Sequence, residues 1–379
     1  MRRARFAITA VFALNGSLFA TFSARLPAIQ ERTGISEGQL GLALLCAMIG
    51  LLSVQLVAGA LVSRFGSRPV VLGGALGYAL GLVPVALSTS FGALAASMFL
   101  IGVASGPLDV AMNVHGLTIE RRIERPILSG LHAAFSFGAL AGAAAGGLVA
   151  DAGVGVVSHF AVVAAAGATL ALVLRGLLLP PGADAAPEGP RFARPTRALA
   201  LVGLFAICAV LAEGAVSNWS AVYLEGEVGA GEGTAAASLA AFSLGMGIGR
   251  LTGDRLSATL GAVRLARGGA SLAAVAIGIA LLADSPLIAI AGFAVAGAGL
   301  AALFPLALRA AAERGDSAGP AVAAVSAMAY VGFIAGPPAI GGLAELVGLR
   351  AALVLVVACL AAAAVLAGAV RTPAAARSR

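Results

Sequence analysis

The sequence contains no lysine, and charged residues of any kind make up only 11% of its 379 positions. A water-soluble domain covers its surface with charged side chains, and this chain has too few of them to do so. Apolar residues make up 60% of the chain, and the mean hydropathy is +1.02. The three cysteines, Cys46, Cys208 and Cys359, lie in separate apolar runs without metal-ligand spacing, so we interpret them as small hydrophobic residues. Composition therefore excludes a soluble protein and predicts one that lies in lipid.

The positive charge of the chain comes from arginine alone. The formal net charge is +7, and all 24 basic residues are arginines that lie singly or in small groups between long apolar runs. This arrangement is typical of the cytoplasmic loops of a membrane protein. The sequence therefore predicts a lipid bilayer as partner and excludes nucleic acid.

Twelve apolar runs are each long enough to cross a bilayer, which takes about 20 residues. They predict spans at 7–28, 38–62, 70–88, 92–117, 130–151, 156–178, 199–223, 235–253, 268–283, 286–309, 320–344 and 350–370. The first resembles a signal peptide, but it is too long for one and contains Asn15, so we interpret it as an uncleaved span.

The arginines predict the orientation of these spans. With the N-terminus inside, only three of the 24 arginines, Arg25, Arg32 and Arg350, fall on the outer side. Loss of one span would reverse the side of every later loop, so this asymmetry supports an even number of spans. We expect a multi-pass protein of a bacterial inner membrane with both termini in the cytoplasm.

A proline-rich segment divides the spans six and six. Residues 179–198 carry five prolines and three arginines and cannot form a continuous helix. The predicted units are an N-terminal six-helix bundle at 1–178, a cytoplasmic linker at 179–198 and a C-terminal six-helix bundle at 199–379. The halves also resemble each other: the glycines of span five, 138, 142, 146 and 147, correspond to those of span eleven, 332, 336, 341 and 342. Such a repeat predicts a solute site between the bundles near the midplane.

The segment that follows span two, 59–68, resembles the loop signature of the major facilitator superfamily, a Gly, then Asp-Arg, then Gly-Arg. Arg64 matches the signature, whereas Ser63 replaces its usual Asp; Asp254 and Arg255 keep the pair in the second half. The resemblance implies an all-α membrane protein of twelve transmembrane helices in two six-helix bundles, which works as a monomer. It also implies that Arg64, Asp254 and Arg255 are gating residues that hold bundle ends together in one state.

A closer resemblance is to the MosC/YbjJ-like branch of that superfamily. It rests on the stretches 109–113, 120–126, 132–138, 213–215, 218–224 and 249–254, and it covers nearly the whole chain. The resemblance implies a secondary transporter of a small polar solute, sugar- or inositol-like. In that branch an Asp commonly precedes the tryptophan, where this chain has Asn218.

Two carboxylates lie inside predicted spans, Asp109 in span four and Glu213 in span seven. A charged group there costs roughly 2.5–3.5 kcal/mol on insertion scales. Each should therefore face a cavity, have a partner or be protonated, and we predict that both are proton-coupling residues. A structural hydrogen bond to a neighbouring helix is the alternative. Asn113, one turn after Asp109, can orient that carboxylate or bind a hydroxyl group of the solute; a hydrogen bond that joins helices is the alternative.

Further polar side chains are candidates for solute binding. Span seven lines the central cavity in the superfamily, which implies a solute contact for Asn218 and for the flat ring of Trp219. An interfacial aromatic belt is the alternative for Trp219. Asn15 is predicted to line the cavity, and Gln55 to line it or to join helices.

Patterns for nucleotides, catalytic metals and cofactors are absent from the sequence, so an ion or solute gradient is the expected source of energy. A proton-driven exporter of drugs or metabolites is an alternative function. An intramembrane enzyme would have to use Ser136 with His132, although neither a nucleophile turn nor an orienting acid accompanies them. A sensor that transports nothing is the remaining alternative.

Overall fold

The computed structural model describes residues 1–125, 127–180, 183, 197–314 and 318–371. All regular elements in these residues are helical. The α-helices run α1 Arg2–Ala24, α2 Leu26–Thr33, α3 Glu37–Phe65, α4 Ser67–Leu87, α5 Phe91–Ile123, α6 Leu128–Asp151, α7 Val156–Leu174, α8 Arg197–Gly226, α9 Glu232–Leu260, α10 Ala262–Leu282, α11 Pro286–Leu300, α12 Leu303–Arg314, α13 Ala318–Val347, α14 Leu349–Ala352 and α15 Val354–Leu366, and a 3-10 turn follows at Ala367–Val370.

Twelve helices of the described chain are long and apolar enough to cross a membrane. They confirm the predicted twelve-span fold. The tenth span combines α11 and α12, and the twelfth combines α14, α15 and the final turn. The first span ends at Ala24, earlier than predicted, because Pro27 lies in the first turn of a separate helix, α2. A proline ring cannot continue the hydrogen bonding of the preceding helix.

The two bundles meet along two helix pairs. Span two (α3) packs on span eleven (α13), and span five (α6) packs on span eight (α9). Small residues make these approaches possible: a side chain added at Gly41 would meet the Pro337 carbonyl oxygen at 2.6 Å, and one at Gly147 would meet the Gly233 carbonyl oxygen at 2.9 Å. Close approach of backbones is the usual role of glycine in membrane helices.

The internal repeat has an offset of 195 residues. Turn glycines with positive φ occur in three pairs whose members lie 195 positions apart in sequence: Gly34 and Gly229, Gly66 and Gly261, and Gly153 and Gly348. The close contacts of glycines between helices repeat with the same offset. A side chain on Gly50 would collide with the Phe99 carbonyl, and one on Gly245 would collide with the Ala294 carbonyl, 195 positions further on in both cases.

Hydrogen bonds from side chains to the backbone stabilise the end of the first bundle that lies next to the predicted linker. Glu120 Oε2 accepts from the backbone N–H groups of Ile127 and Leu128, at 2.7 and 3.0 Å, and so caps α6. The buried ring of His115 accepts through Nε2 from the Leu179 N–H at 3.2 Å. Most of the predicted linker, 179–198, lies outside the described residues, and the boundaries of the three predicted units stay a prediction.

Candidate functional site

A cavity of about 300 Å³ lies between the bundles. We call it the central cavity. Its charged and amide side chains are Asn15, Asp109, Glu213, Asn218 and Arg250, its hydroxyl groups include those of Ser105, Ser136, Ser217, Ser243, Tyr78 and Tyr330, and its apolar wall includes Phe19, Phe135, Phe242, Phe333, Met48, Met98 and Met246. Both bundles contribute to every class of side chain. The cavity therefore has the position that the repeat predicts for a solute site.

Asp109 lies on α5 and faces the central cavity. Asn113, one turn further on, donates through Nδ2 to the Asp109 backbone carbonyl at 2.8 Å and to the carboxylate Oδ1 at 3.3 Å. Among the residues that the structure describes, no Arg or His forms an ion pair with Asp109. This carboxylate is therefore oriented but not neutralised.

Glu213 has a different environment. Its Oε1 lies 3.0 Å from Nη2 of Arg250, and the two side chains are only 23% and 17% exposed. The same guanidinium donates through Nη1 to Ser136 Oγ of the first bundle at 2.7 Å. Glu213 is thus neutralised by a cation that also joins the two bundles.

Arg250 is the largest departure from the sequence analysis. It was counted among the cytoplasmic arginines although it falls within the predicted span 235–253, and α9, which continues to Leu260, holds Arg250 inside the span. It lines both the central cavity and a second cavity of about 310 Å³, which we call the inner vestibule. Glu213 lines both as well, so this ion pair lies where the two cavities meet.

The predicted solute-binding residues lie in different environments. Asn15 and Asn218 line the central cavity, and Asn15 Nδ2 also lies 3.7 Å from Met112 Sδ. Trp219 is fully buried and lies outside the cavity lining, and its Nε1 has no hydrogen-bond partner among the described residues. Asn113 is not among the described residues that line the central cavity, and it donates to Asp109, which does line it. Consecutive side chains of a helix point about 100° apart, so Asn218 can line the cavity while its neighbour Trp219 does not.

The three predicted gating residues lie at the arginine-rich end of the helices. Asp254 Oδ1 lies 3.5 Å from Arg309 Nη2, and its Oδ2 accepts from Ser129 Oγ of the first bundle at 3.4 Å. The Arg64 guanidinium lies 5.2 Å from the ring centroid of its neighbour Phe65. Arg255 is exposed and forms no ion pair within the described chain. Asp254 is thus the one of the three with a contact to the opposite bundle.

The opposite, arginine-poor end has its own contacts between bundles. Arg25, only 3% exposed, lies 3.2 Å from the Glu232 carboxylate of the second bundle and donates to the Val154 carbonyl of the first at 3.1 Å. A hydrogen bond also joins Ser36 and Glu345. The sequence analysis placed Arg25 only on the outer side; in the structure it is buried and pairs with the partly exposed Glu232.

The candidate hydrolase pair has other partners. Ser136 Oγ donates to the His132 carbonyl at 3.2 Å and accepts from Arg250, whereas the His132 ring packs edge-on against Phe12 at 5.4 Å. The hydroxyl is thus engaged by a backbone carbonyl and a guanidinium, and neither of these activates a nucleophile.

Family comparison agrees with this architecture. The family model described as Major Facilitator Superfamily matches residues 6–226 and 202–379. The chain belongs to the major facilitator superfamily. It is a multi-pass membrane transporter and not an enzyme.

Two relatives support this membership along the whole chain. An uncharacterized MFS-type transporter of Yersinia pestis is 33% identical over 345 residues, 90% of this chain and 89% of that protein. The membrane protein MosC of Rhizobium meliloti is 31% identical over 360 residues, 93% of this chain and 87% of that protein. The second match confirms the resemblance to the MosC-like branch.

Solved major facilitator structures share the fold. A bacterial homolog of the human lysosomal transporter Spinster, inward-facing and occupied, has a TM-score of 0.77 at 16% identity and covers 97% of this chain and 96% of its own. The fucose:proton symporter of E. coli has a TM-score of 0.65 at 18% identity and covers 96% of this chain and 97% of its own. At these identities the likeness concerns the fold alone.

Proposed function

We propose that this major facilitator protein is a proton-coupled secondary active transporter of a small polar, sugar- or inositol-like solute, with Asp109 as the proton carrier. The observation that carries the proposal is the contrast between the two deep carboxylates. Glu213 is neutralised by Arg250 at 3.0 Å, whereas Asp109 has no basic partner in the described part of the chain. An unpaired charge inside a membrane span costs free energy, and binding a proton removes that cost. Protonation is therefore more favourable for Asp109 than for the paired Glu213.

The polar groups of the central cavity suit a solute with several hydroxyl groups. Asn15 and Asn218 offer amide donors and acceptors from opposite bundles, and serine hydroxyls line the same cavity. Phe135 and Phe242 offer flat apolar surfaces for the C–H face of a ring. One structural neighbour is a fucose:proton symporter, which supports such a solute and proton coupling.

The alternative of an exporter draws on a separate observation. Five phenylalanines and three methionines line the central cavity, and such surfaces accept varied apolar solutes. An exporter of amphipathic metabolites would use the same carboxylate and the same rocking of the bundles. The direction of transport distinguishes the two proposals.

We further propose that the protein functions as a monomer in a bacterial inner membrane, with both termini in the cytoplasm. In the transport cycle the bundles rock about the central cavity. The Arg25–Glu232 contact closes one end, and the Asp254–Ser129 contact lies at the other.

Proton flux in proteoliposomes tests the function directly. The purified full chain is reconstituted with a pH-sensitive dye in the lumen, and polyols, sugars and lipophilic cations are added outside one at a time. We expect a polyol or sugar to cause proton movement that Asp109→Asn abolishes. Proton movement caused only by lipophilic cations would favour the exporter. Solute uptake that is indifferent to pH and to an uncoupler would contradict proton coupling.

A further inference from the structure

The first turns of spans two and eight are equivalent in the internal repeat, and both lie at the arginine-poor end. Helix α3 begins with Glu37 and Gly38. Helix α9 begins with Glu232 and Gly233, 195 positions further on. The first turn of a helix has backbone N–H groups without a partner in the helix, and it carries a partial positive charge. Each of these turns therefore favours contact with an acidic group.

A carboxylate from the opposite bundle lies against each of these turns. A side chain added at Gly38 of the first bundle would lie 2.5 Å from Glu345 Oε1, which belongs to α13 of the second bundle. A side chain added at Gly233 of the second bundle would collide with the carboxylate of Asp151, the last residue of α6 in the first bundle. The two contacts thus cross between the bundles in opposite directions. Each needs a glycine at the second position of the helix, because the carboxylate occupies the space of a side chain.

Neighbouring polar groups reinforce the two contacts in different ways. Ser36, which caps α3, accepts from a backbone N–H of the first turn at 3.2 Å and donates to the Glu345 carboxylate. The residue that caps α9 is a glycine, without a side chain that could do the same. At that turn the ion pair of Arg25 with Glu232 supplies a further contact between the bundles. Both pairs of helices that join the bundles are therefore fastened at the arginine-poor end.

We propose that Asp151 and Glu345 form an outer latch, in which one carboxylate from each bundle docks on the first turn of span eight or span two and holds the arginine-poor end closed. The inference rests on the proposed rocking of the bundles, because a rocking transporter must open and close this end. Both carboxylates are exposed, and an exposed charge at a helix N-terminus is stabilised only modestly. Such a contact favours the closed form and can still break in each transport cycle.

Pulsed electron spin resonance distances across this end test the latch without a solute. The three native cysteines are replaced. Spin labels are attached through Thr89→Cys in the first bundle and Leu287→Cys in the second, both exposed positions next to the turns that join spans three and four and spans nine and ten. The full chain is measured in nanodiscs, and the distance distribution of this labelled parent is the reference.

Glycine substitutions displace the carboxylates directly. Gly38→Ala together with Gly233→Ala places a methyl group where each carboxylate lies, so we expect the distribution to shift to longer distances. Gly92→Ala is the matched control. Gly92 is also the second residue of a helix that begins at the arginine-poor end, α5, but a side chain added there has open space around it. This control should keep the distribution of the parent.

Neutral variants test the charge of the latch. Asp151→Asn together with Glu345→Gln keeps the shape of both side chains, and it should also shift the distribution to longer distances. Unchanged distances in this variant would overturn the latch, and the result stays decisive if size-exclusion profiles show that the glycine variants do not fold. Unchanged distances in folded glycine variants would overturn it as well.

Proton flux of the parent protein in proteoliposomes tests the proposed function separately. Flux in the parent, combined with unchanged distances in the variants, would remove the latch and leave the function. Longer distances in the variants, with no solute causing flux in the parent, would support the latch and contradict proton-coupled transport.

Discussion

Arg250 lies 3.0 Å from Glu213 within the second bundle and at the same time donates to Ser136 of the first bundle at 2.7 Å. One guanidinium thus neutralises a membrane carboxylate and fixes the relative position of two bundles. The pair also lies where the central cavity meets the inner vestibule. Both residues of the pair are therefore exposed to each of the two spaces.

Arg250→Gln should lower the thermal unfolding midpoint of the purified protein, because Glu213 would be left partly buried without a cation. Loss of one partner of a fully buried pair costs about 3–5 kcal/mol. At 17% and 23% exposure we expect less, about 1–3 kcal/mol. The double variant Arg250→Gln with Glu213→Gln should recover part of the loss. Arg309→Gln breaks an exposed pair and serves as control. Equal midpoints for all variants would show that the pair is not structural.

Glu232→Gln should open the arginine-poor end of the protein. Arg25 would keep its hydrogen bond to the Val154 carbonyl but lose its ion pair with the second bundle. On a background without native cysteines, we expect Ser243→Cys in the central cavity to react several-fold faster with a membrane-impermeant maleimide. Glu31→Gln, which neutralises an exposed carboxylate at the same end, should leave that rate unchanged. If Glu232→Gln also leaves it unchanged, the Arg25–Glu232 contact does not close this end.

Asp254→Asn should slow transport more than Ser63→Ala. Asp254 accepts from Ser129 across the bundle interface and pairs with Arg309, whereas Ser63 donates only to the carbonyl of Ala60 in its own helix. Exposed charge contacts are worth up to about 1 kcal/mol, so we expect a decrease of up to about fivefold. Initial rates of solute-driven proton flux provide the measurement. Small and equal effects of the two substitutions would remove Asp254 from the gating mechanism.

Reporter fusions test the predicted orientation. The distribution of the 24 arginines predicts that the linker and the C-terminus lie on the cytoplasmic side. Fusions after position 190 and after the last residue should therefore both be active with a cytoplasmic reporter and silent with a periplasmic one. An external signal at either point is incompatible with twelve spans in this register.

The spans were predictable because the bilayer imposes a strong and local constraint. Each must present about 20 apolar residues whatever its neighbours are. The ends of some spans differ from the predicted ones for local reasons. Pro27, for example, ends the first span early. Asp109 and Glu213 were recognisable because ionised groups are rare inside such runs.

Partners across the cavity were not predictable from single spans. Arg250 was counted with the cytoplasmic arginines because it lies near the end of the predicted span 235–253, whereas its helix continues to Leu260. Tyr330 carried no signal because it lies in an apolar run. The repeat offset of 195 residues would have helped, since it aligns Arg250 with Gln55 inside span two. The burial of Trp219 depends on how span seven is rotated within its bundle, which the sequence does not determine.

Asp109 is the residue that we propose carries the coupled proton. Asn keeps the shape of Asp but cannot ionise. In proteoliposomes with a solute from the flux screen, Asp109→Asn should abolish accumulation driven by a proton gradient. It should retain exchange of labelled for unlabelled solute at equal concentrations, because binding and rocking need no net proton movement. Glu213→Gln, measured in parallel, shows whether the second carboxylate contributes. Proton-driven accumulation by Asp109→Asn at the rate of the parent protein would contradict the account.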